Sequence, residues 1–482
     1  MKKLFTCFIV FSFHSALFAQ QPTPVPIPPA KTDTSVRTHY GDLLKDDPYH
    51  EKKYPLWIPA AEIIGFNAAL LSADKYALKY DWATPVGPET WKKNLKSSWE
   101  WDRDLFGVNF IGHPYSGSFY YNAARSNGYN FAASIPFAIG GSLMWEYFGE
   151  VTRPSYNDII NTPVTGIFFG EILYRISSNI LNDHKRGSGR VLREIAAGMV
   201  DPMRGFNRIL QGKVSRVTSD TIYQADLLNF SIFGGIRKLN EGTAFNTGEN
   251  NAFLNLSVFY GDPFENRNRK PYDFFKLRTE FNFQVGNKIL DNVTGYALLT
   301  GRNHNSEKFK MLYGVFQHYN YWNNSTFELG TITFGGGAVT KIPLGKSAFY
   351  NNVYLSGVPL AGNSTRKAPS DSALYRDYNY SGGLELKVES SFDFRNIFTL
   401  NLLGYFYRLY TYVGPKEESH ISLIKPGISF TLYKNIRAGF EHLVYINNLD
   451  NPNRRDLHLS NTQQKIFLLV YFENSRQQKK YD

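Results

Sequence analysis

The sequence predicts an α+β protein: a helical N-terminal domain followed by an antiparallel transmembrane β-barrel of about 12 strands. Three observations predict it. The chain opens on a short basic and then apolar leader. Its hydrophobic period switches from helical to two after about residue 225. Its composition is 16% aromatic, with 32 Tyr and 38 Phe against 5 Met. Outer-membrane strands alternate apolar and polar faces and carry aromatic girdles at both interfaces, which this composition suits.

The leader spans residues 1–19. Lys2 and Lys3 precede the apolar run LFTCFIVFSFHSALFA, and a cut after Ala19 leaves Gln20 first. The run is too short and too soon interrupted for a membrane anchor. Cys7, the one cysteine, lies inside it. The remaining chain therefore excludes disulfides, thiolate metal sites and cysteine nucleophiles. Residues 20–53 begin with QPTPVPIPPAKTDTS, a proline-rich linker unsuited to a helix or sheet interior. The formal charge of +11 suits a protein facing anionic lipid headgroups. The most basic segment, HKRGSGR at 184–190, has no interleaved aromatic residues, so no nucleic-acid partner is expected.

Residues 54–212 have helical texture. IPAAEIIGFNAALLSADKYALKY carries apolar residues at helical spacing. Ser116 is a candidate cap for SGSFYYNAARS, which stops at Asn127-Gly128. FAASIPFAIGGSLMWEYFGE reads as the next helix. Thr162-Pro163 reads as a helix start running to about Asn182, because proline suits the first helical position. These oily segments are too short or too interrupted, by Pro136, Gly140, Gly141 and Glu146, to span a bilayer as helices.

Residues 225–473 read as the barrel. Phe275, Leu277, Thr279, Phe281 and Phe283 alternate with Lys276, Arg278, Glu280, Asn282 and Gln284. Leu384, Leu386 and Val388 alternate with Glu385, Lys387 and Glu389 in the same way. About 12 such runs occur, each roughly 10 residues long and followed by a polar or glycine-rich turn. The last run, KIFLLVYF, ends on Phe472, and a polar tail follows at 474–482. The charged inward faces predict a polar interior, either wet or plugged by helices.

Three stretches carry a family resemblance: WDRDLFGVNFIGHPYSGSFYYNAARSNGYNF, GSLMWEYFGEVTRPSYNDIINTPVTGIFFGEILYR and DPMRGFNRILQG. Together they make residues 91–211 resemble the bacterial domain-of-unknown-function family 3943. The resemblance covers about a quarter of the chain. It implies an envelope protein in which this segment precedes a barrel, and it brings no activity, substrate or catalytic residue.

The chemistry must then come from the polar groups on the helices. Glu146 and Glu150 are four residues apart and share a helix face, so their charges need compensation. Arg153 and Arg175 are candidate partners. Glu171 and Arg175 have the favourable acid-first spacing for an ion pair. Ser155 is a candidate cap with Asp158 in the first turn behind it. Gly166 and Gly170 form a G-x-x-x-G strip for a close helix approach. One reading makes Arg153, Ser155, Asp158, Glu171 and Arg175 a buried polar network with the two glutamates. A second makes His113, Glu146 and Glu150 an acid/base site. Ser116, Ser142 and Ser155 offer hydroxyls, but none lies in G-x-S-x-G. A third reading, a metal site from His113, Glu146, Glu150 and Glu171, lacks E-x-x-H and H-E-x-x-H words, so no metal or cofactor is expected.

The expected protein is a Gram-negative outer-membrane barrel with a structural, binding or transport role. Its helices are expected to plug, gate or dock at the periplasmic side, at the mouth or within the lumen. The alternative is an envelope hydrolase or lipid-modifying enzyme. Expected partners are outer-membrane lipid, the barrel-assembly machinery and a periplasmic protein.

Overall fold

The structure is a computed structural model that describes residues 53–217, 226–242, 248–283, 288–324, 327–364, 378–414, 416–450 and 457–472. The leader, almost all of the linker and the polar tail lie outside these residues.

Seven α-helices precede the barrel: α1 (Trp57–Ser72), α2 (Pro88–Lys96), α3 (His113–Ser126), α4 (Phe131–Phe148), α5 (Tyr156–Ile180), α6 (Ser188–Val200) and α7 (Pro202–Leu210). Two helix starts differ from the sequence expectation. Helix α3 follows directly on a π-turn at Val108–Gly112, with Pro114 in its first turn, so Ser116 sits inside the helix rather than capping it. Pro114 has no N–H to satisfy, which suits that first turn. Helix α5 starts at Tyr156, where Ser155 accepts from the Asp158 N–H, and runs through Pro163. The cap at Ser155 nucleates the helix ahead of the proline, which then removes one interior hydrogen bond.

Helices α3 and α5 cross where both backbones lack side chains. A Cβ on Gly166 would lie 2.5 Å from the Gly117 carbonyl carbon, and one on Gly170 would lie 2.7 Å from the Tyr121 ring. The G-x-x-x-G strip thus faces α3.

The barrel is a closed antiparallel ring of 12 strands: β1 (Leu228–Glu241), β2 (Glu249–Tyr260), β3 (Phe275–Asn282), β4 (Leu290–Asn305), β5 (Lys310–Asn323), β6 (Glu328–Leu344), β7 (Ser347–Ser364), β8 (Tyr378–Phe394), β9 (Phe398–Val413), β10 (Glu418–Tyr433), β11 (Ile436–Asp450) and β12 (Leu457–Phe472). The run ending at Phe472 closes the ring, with Phe472 paired to Phe230 of β1. The strand count and the helical-then-barrel order match the sequence reading.

Contacts across the ring identify its inside. Lys276 on β3 pairs with Glu389 on β8 at 2.8 Å, and Lys465 on β12 pairs with Glu280 on β3 at 2.6 Å. Strands so far apart meet only through the lumen, so Lys276, Arg278 and Glu280 point inward and Phe275, Leu277 and Thr279 outward. Arg237 adds bonds to Glu280 and Asp291, and Lys425 pairs with Glu441 at 3.0 Å. A cavity of about 40 Å³ remains among Arg278, Glu280, Lys425 and Lys465, room for little more than a water or two. Among the described residues the lumen is crossed at this level by its own charged side chains.

The described helices pack on the outside of this wall, so of the expected alternatives, to plug, gate or dock, the plug within the lumen gains no support. Phe110 seats against Gly330 and Gly362, and Phe168 against Gly295. These glycines share the outward register of Tyr321, Tyr380 and Leu277. The Tyr319 hydroxyl donates to the Phe110 carbonyl, and Gln317 donates to the Val164 carbonyl at 3.1 Å. Where helices do not cover it, the outward face carries exposed Val315, Leu355, Leu386, Leu402 and Leu468. The covered wall sets these glycines and polar groups among buried apolar side chains such as Phe275, Val293, Ile332 and Leu360, whereas the bare wall is aliphatic. Lipid gives apolar surfaces little reason to leave it, so helix association there depends on close approach and hydrogen bonds. The wall supplies both.

Candidate functional site

Three segments build the site: the Trp101–His113 stretch entering α3, the end of α4, and the start of α5. The π-turn at Val108–Gly112 leads straight into α3 and presents His113 at its first residue. Glu146 lies in the last turn of α4, Glu150 lies just beyond the helix end rather than on its face as expected, and Asp158 lies in the first turn of α5.

His113 is 8% exposed, and its Nε2 lies 3.9 Å from Asp158 Oδ1 and 3.8 Å from Asp104 Oδ2. Glu146 Oε2 accepts from the Ser155 backbone N–H at 2.6 Å. Glu150 accepts from Trp145 Nε1 at 2.8 Å and from the Thr152 hydroxyl at 3.0 Å. Asp102 Oδ1 accepts from Asn109 at 2.8 Å and from the Tyr380 hydroxyl of β8 at 3.0 Å. Asp158 is fully buried; the Ser155 hydroxyl donates to its Oδ2, no N–H or hydroxyl donor reaches Oδ1 among the described residues, and the carboxyl shares a hydrogen bond with Asp102.

No arginine or lysine contributes an ion pair to these carboxylates among the described residues. Their electrostatics follow. Burial opposes charge on His113, but Asp158, Asp104 and the two glutamates outweigh it and hold the imidazole well above its ordinary pKa. Burial, reinforced by Glu150, pushes Glu146 well up. Burial likewise raises Asp158 and Glu150. Asp102 goes down: burial opposes its charge, but hydrogen bonds and His113 prevail. The centre is thus short of positive charge and rich in groups that accept or release a proton.

A different network holds the rest. Glu171 accepts from Arg125 Nε at 2.7 Å, from Arg175 Nε at 2.8 Å and from the Tyr121 hydroxyl at 2.9 Å. Arg175 also donates to the Pro271 carbonyl, tying α5 to the β2–β3 connection at 2.8 Å. This carboxylate is compensated on both oxygens, as a buried structural charge requires.

The structure therefore brings His113, Glu146, Glu150, Ser155 and Asp158 together, and places Glu171 and Arg175 elsewhere. Arg153 is exposed and forms no ion pair with either glutamate among the described residues, so it does not compensate them. Ser155 and Ser142 are committed: the first caps α5, and the second donates to the Asp158 carbonyl at 3.3 Å. Sequence reasoning missed Asp102, Asp104 and Arg125. Asp102 and Asp104 resemble surface charges in W-D-R-D, and only the fold turns Asp102 inward.

Ligand-capable atoms of His113, Glu146 and Glu150 lie within 4.8 Å of one another, as do those of Asp102, Asp104 and His113.

Residues 98–203 match a family model described as a domain of unknown function, DUF3943. That segment contains the whole centre. No curated protein matches the chain. Among solved structures, the chain is similar to the outer membrane channel DcaP of Acinetobacter baumannii, at 7% identity over 51% of this chain and 96% of that one, with a TM-score of 0.24. It is similar to outer membrane phospholipase A from Escherichia coli, at 11% identity over 52% and 93%, with a TM-score of 0.27. For the KdgM porin the values are 10% identity, 50%, 99% and 0.22.

Proposed function

We propose that the protein resides in the bacterial outer membrane, with the barrel as a closed anchor and the helical domain as an envelope hydrolase or lipid-modifying centre. In this reading His113 is the proton-transferring group and Glu146 and Glu150 are its carboxylate partners. The observation that carries it is the charge imbalance: a buried imidazole faces several carboxylates with no arginine among them, whereas Glu171, in its separate network, has two. A polar core retained only for packing is expected to be charge-compensated. Perturbed titratable groups gathered off the main core are the pattern of a chemical site.

Ser142 and Ser155 are tied up, so this reading takes water as the attacking group. Between His113 and Asp158 or Asp104 there is nearly 4 Å. A water or substrate hydroxyl seated there can lose its proton to an ionised carboxylate of the centre, with the charged imidazole as the proton donor to the leaving group. Asp104 is exposed and gives the centre its outlet.

The outward alternation of apolar side chains supports membrane residence. The rim holding the barrel's two chain ends carries the short connections 345–346 and 434–435 but also the long 261–274, and the opposite rim carries 365–377. Asp102 bonds Tyr380 beside the rim opposite the chain ends. A gating role gains no support, since the helices touch the outward wall and the lumen closes on itself.

The test pairs His113→Ala and Glu146→Gln in cells, read by the level of heat-modifiable protein in the outer membrane and by envelope lipid composition. Normal protein with altered lipid composition is the expected result. Normal protein with an unchanged lipid profile counts against the reading.

A further inference from the structure

We propose that His113 and the carboxylates around it bind one divalent transition-metal cation. This deepens the acid/base reading of the same centre, which stands with or without a metal.

Two sets of ligand atoms converge, one from His113, Glu146 and Glu150, the other from Asp102, Asp104 and His113, each within 4.8 Å. His113 belongs to both, so the imidazole is the pivot. The independent observation is Asp158, outside both sets. It is fully buried, no N–H or hydroxyl donor reaches its Oδ1 among the described residues, that oxygen lies 3.9 Å from His113 Nε2, and its carboxyl shares a hydrogen bond with that of Asp102. Two buried carboxyls that share one proton can exchange it for a cation, which meets both. A separation near 4 Å is too long for a hydrogen bond. It suits two ligands on either side of one ion, with metal–ligand bonds of about 2.0–2.2 Å.

The surroundings are those of a metal shell. Glu150 is oriented by Trp145 and Thr152, Glu146 by the Ser155 backbone, and Asp158 Oδ2 by the Ser155 hydroxyl. Such outer donors fix carboxylate ligands and leave their other lone pairs for the ion. Several hard oxygens with one imidazole select Mn²⁺ or Zn²⁺. The charge deficit supplies the drive, since a dication neutralises what no arginine does.

The test uses full-length protein in detergent, stripped with chelator and dialysed. Mn²⁺ is titrated and followed by its electron paramagnetic resonance signal, and Zn²⁺ by calorimetry, with Mg²⁺ as comparison. The wild type is expected to bind one equivalent of Mn²⁺ or Zn²⁺. His113→Ala and Asp158→Asn are expected to weaken binding at least tenfold, and Glu171→Gln to leave it unchanged. Thermal melting provides a second readout: the cation raises the wild-type midpoint and leaves that of Asp158→Asn unmoved. Failure of the stripped wild type to bind, or equal binding by His113→Ala, overturns the proposal. A centre that binds no metal yet whose His113→Ala variant alters envelope lipids retains the acid/base reading and loses this one.

Discussion

Glu171 and Glu146 are both buried carboxylates, and their neighbours give them opposite characters. Glu171 sits between Arg125 and Arg175, so neutralising it strands two guanidiniums. Glu171→Gln is expected to cost the helical domain about 3 kcal/mol, measured by denaturant unfolding of its circular-dichroism signal. Asp201 offers a pH test. It caps α7, and burial pushes its pKa up to about 6, against the Arg204 N–H and side chain that pull it down. The folded state therefore holds a proton that the unfolded chain releases at lower pH, so stability falls as pH rises from about 4 to about 6 and then stays level, by roughly 3 kcal/mol in all. Asp201→Asn keeps a capping oxygen and is expected to remove that fall, raising the melting temperature at pH 7.5 relative to wild type. An unchanged pH profile in the variant excludes Asp201 as its source. At this scale the sequence was partly legible. The spacing of Glu146 and Glu150 made them one electrostatic unit, but spacing along one helix says nothing about what stands opposite. That proved to be His113, from a turn more than 30 residues away.

Helices α3 and α5 meet at Gly117 and Gly166, where any side chain would enter the other backbone. Gly166→Leu is expected to cost about 3 kcal/mol or more and to open the helical domain to protease while the barrel keeps its heat-modifiable gel shift. Equal protease resistance in variant and wild type sinks this view of the crossing. The glycine strip was readable because G-x-x-x-G marks close approach whichever helix comes. Helix starts were less readable. Thr162-Pro163 has good starting chemistry, yet the Ser155 cap upstream acts first and the helix tolerates the proline. Likewise, Ser116 lost to the π-turn, a feature with no propensity signature.

The number of strands was legible because a period of two, repeated with turns, leaves few alternatives. The seat of the helices was not, since inward and outward faces both alternate and either accommodates a partner on paper. Only the register shows Gly295, Gly330 and Gly362 lined up on the outer wall under α5 and the turn before α3. The self-filled lumen carries its own expectation: purified protein in planar bilayers gives no steady open-pore conductance, and a large, stable conductance contradicts the closed-anchor view. The described residues thus hold a compensated buried charge that ties α5 to the barrel and, around His113, one without arginine or lysine partners, to which the proposed function assigns the chemistry. The most direct measurement is the melting midpoint of the helical domain in three full-length proteins at neutral pH without added metal: wild type, Glu146→Gln and Glu171→Gln. A functional centre kept at the expense of stability predicts that Glu146→Gln melts at or above the wild type while Glu171→Gln melts several degrees below. If Glu146→Gln falls as far as Glu171→Gln, the His113 centre is a packing network and the functional reading is contradicted.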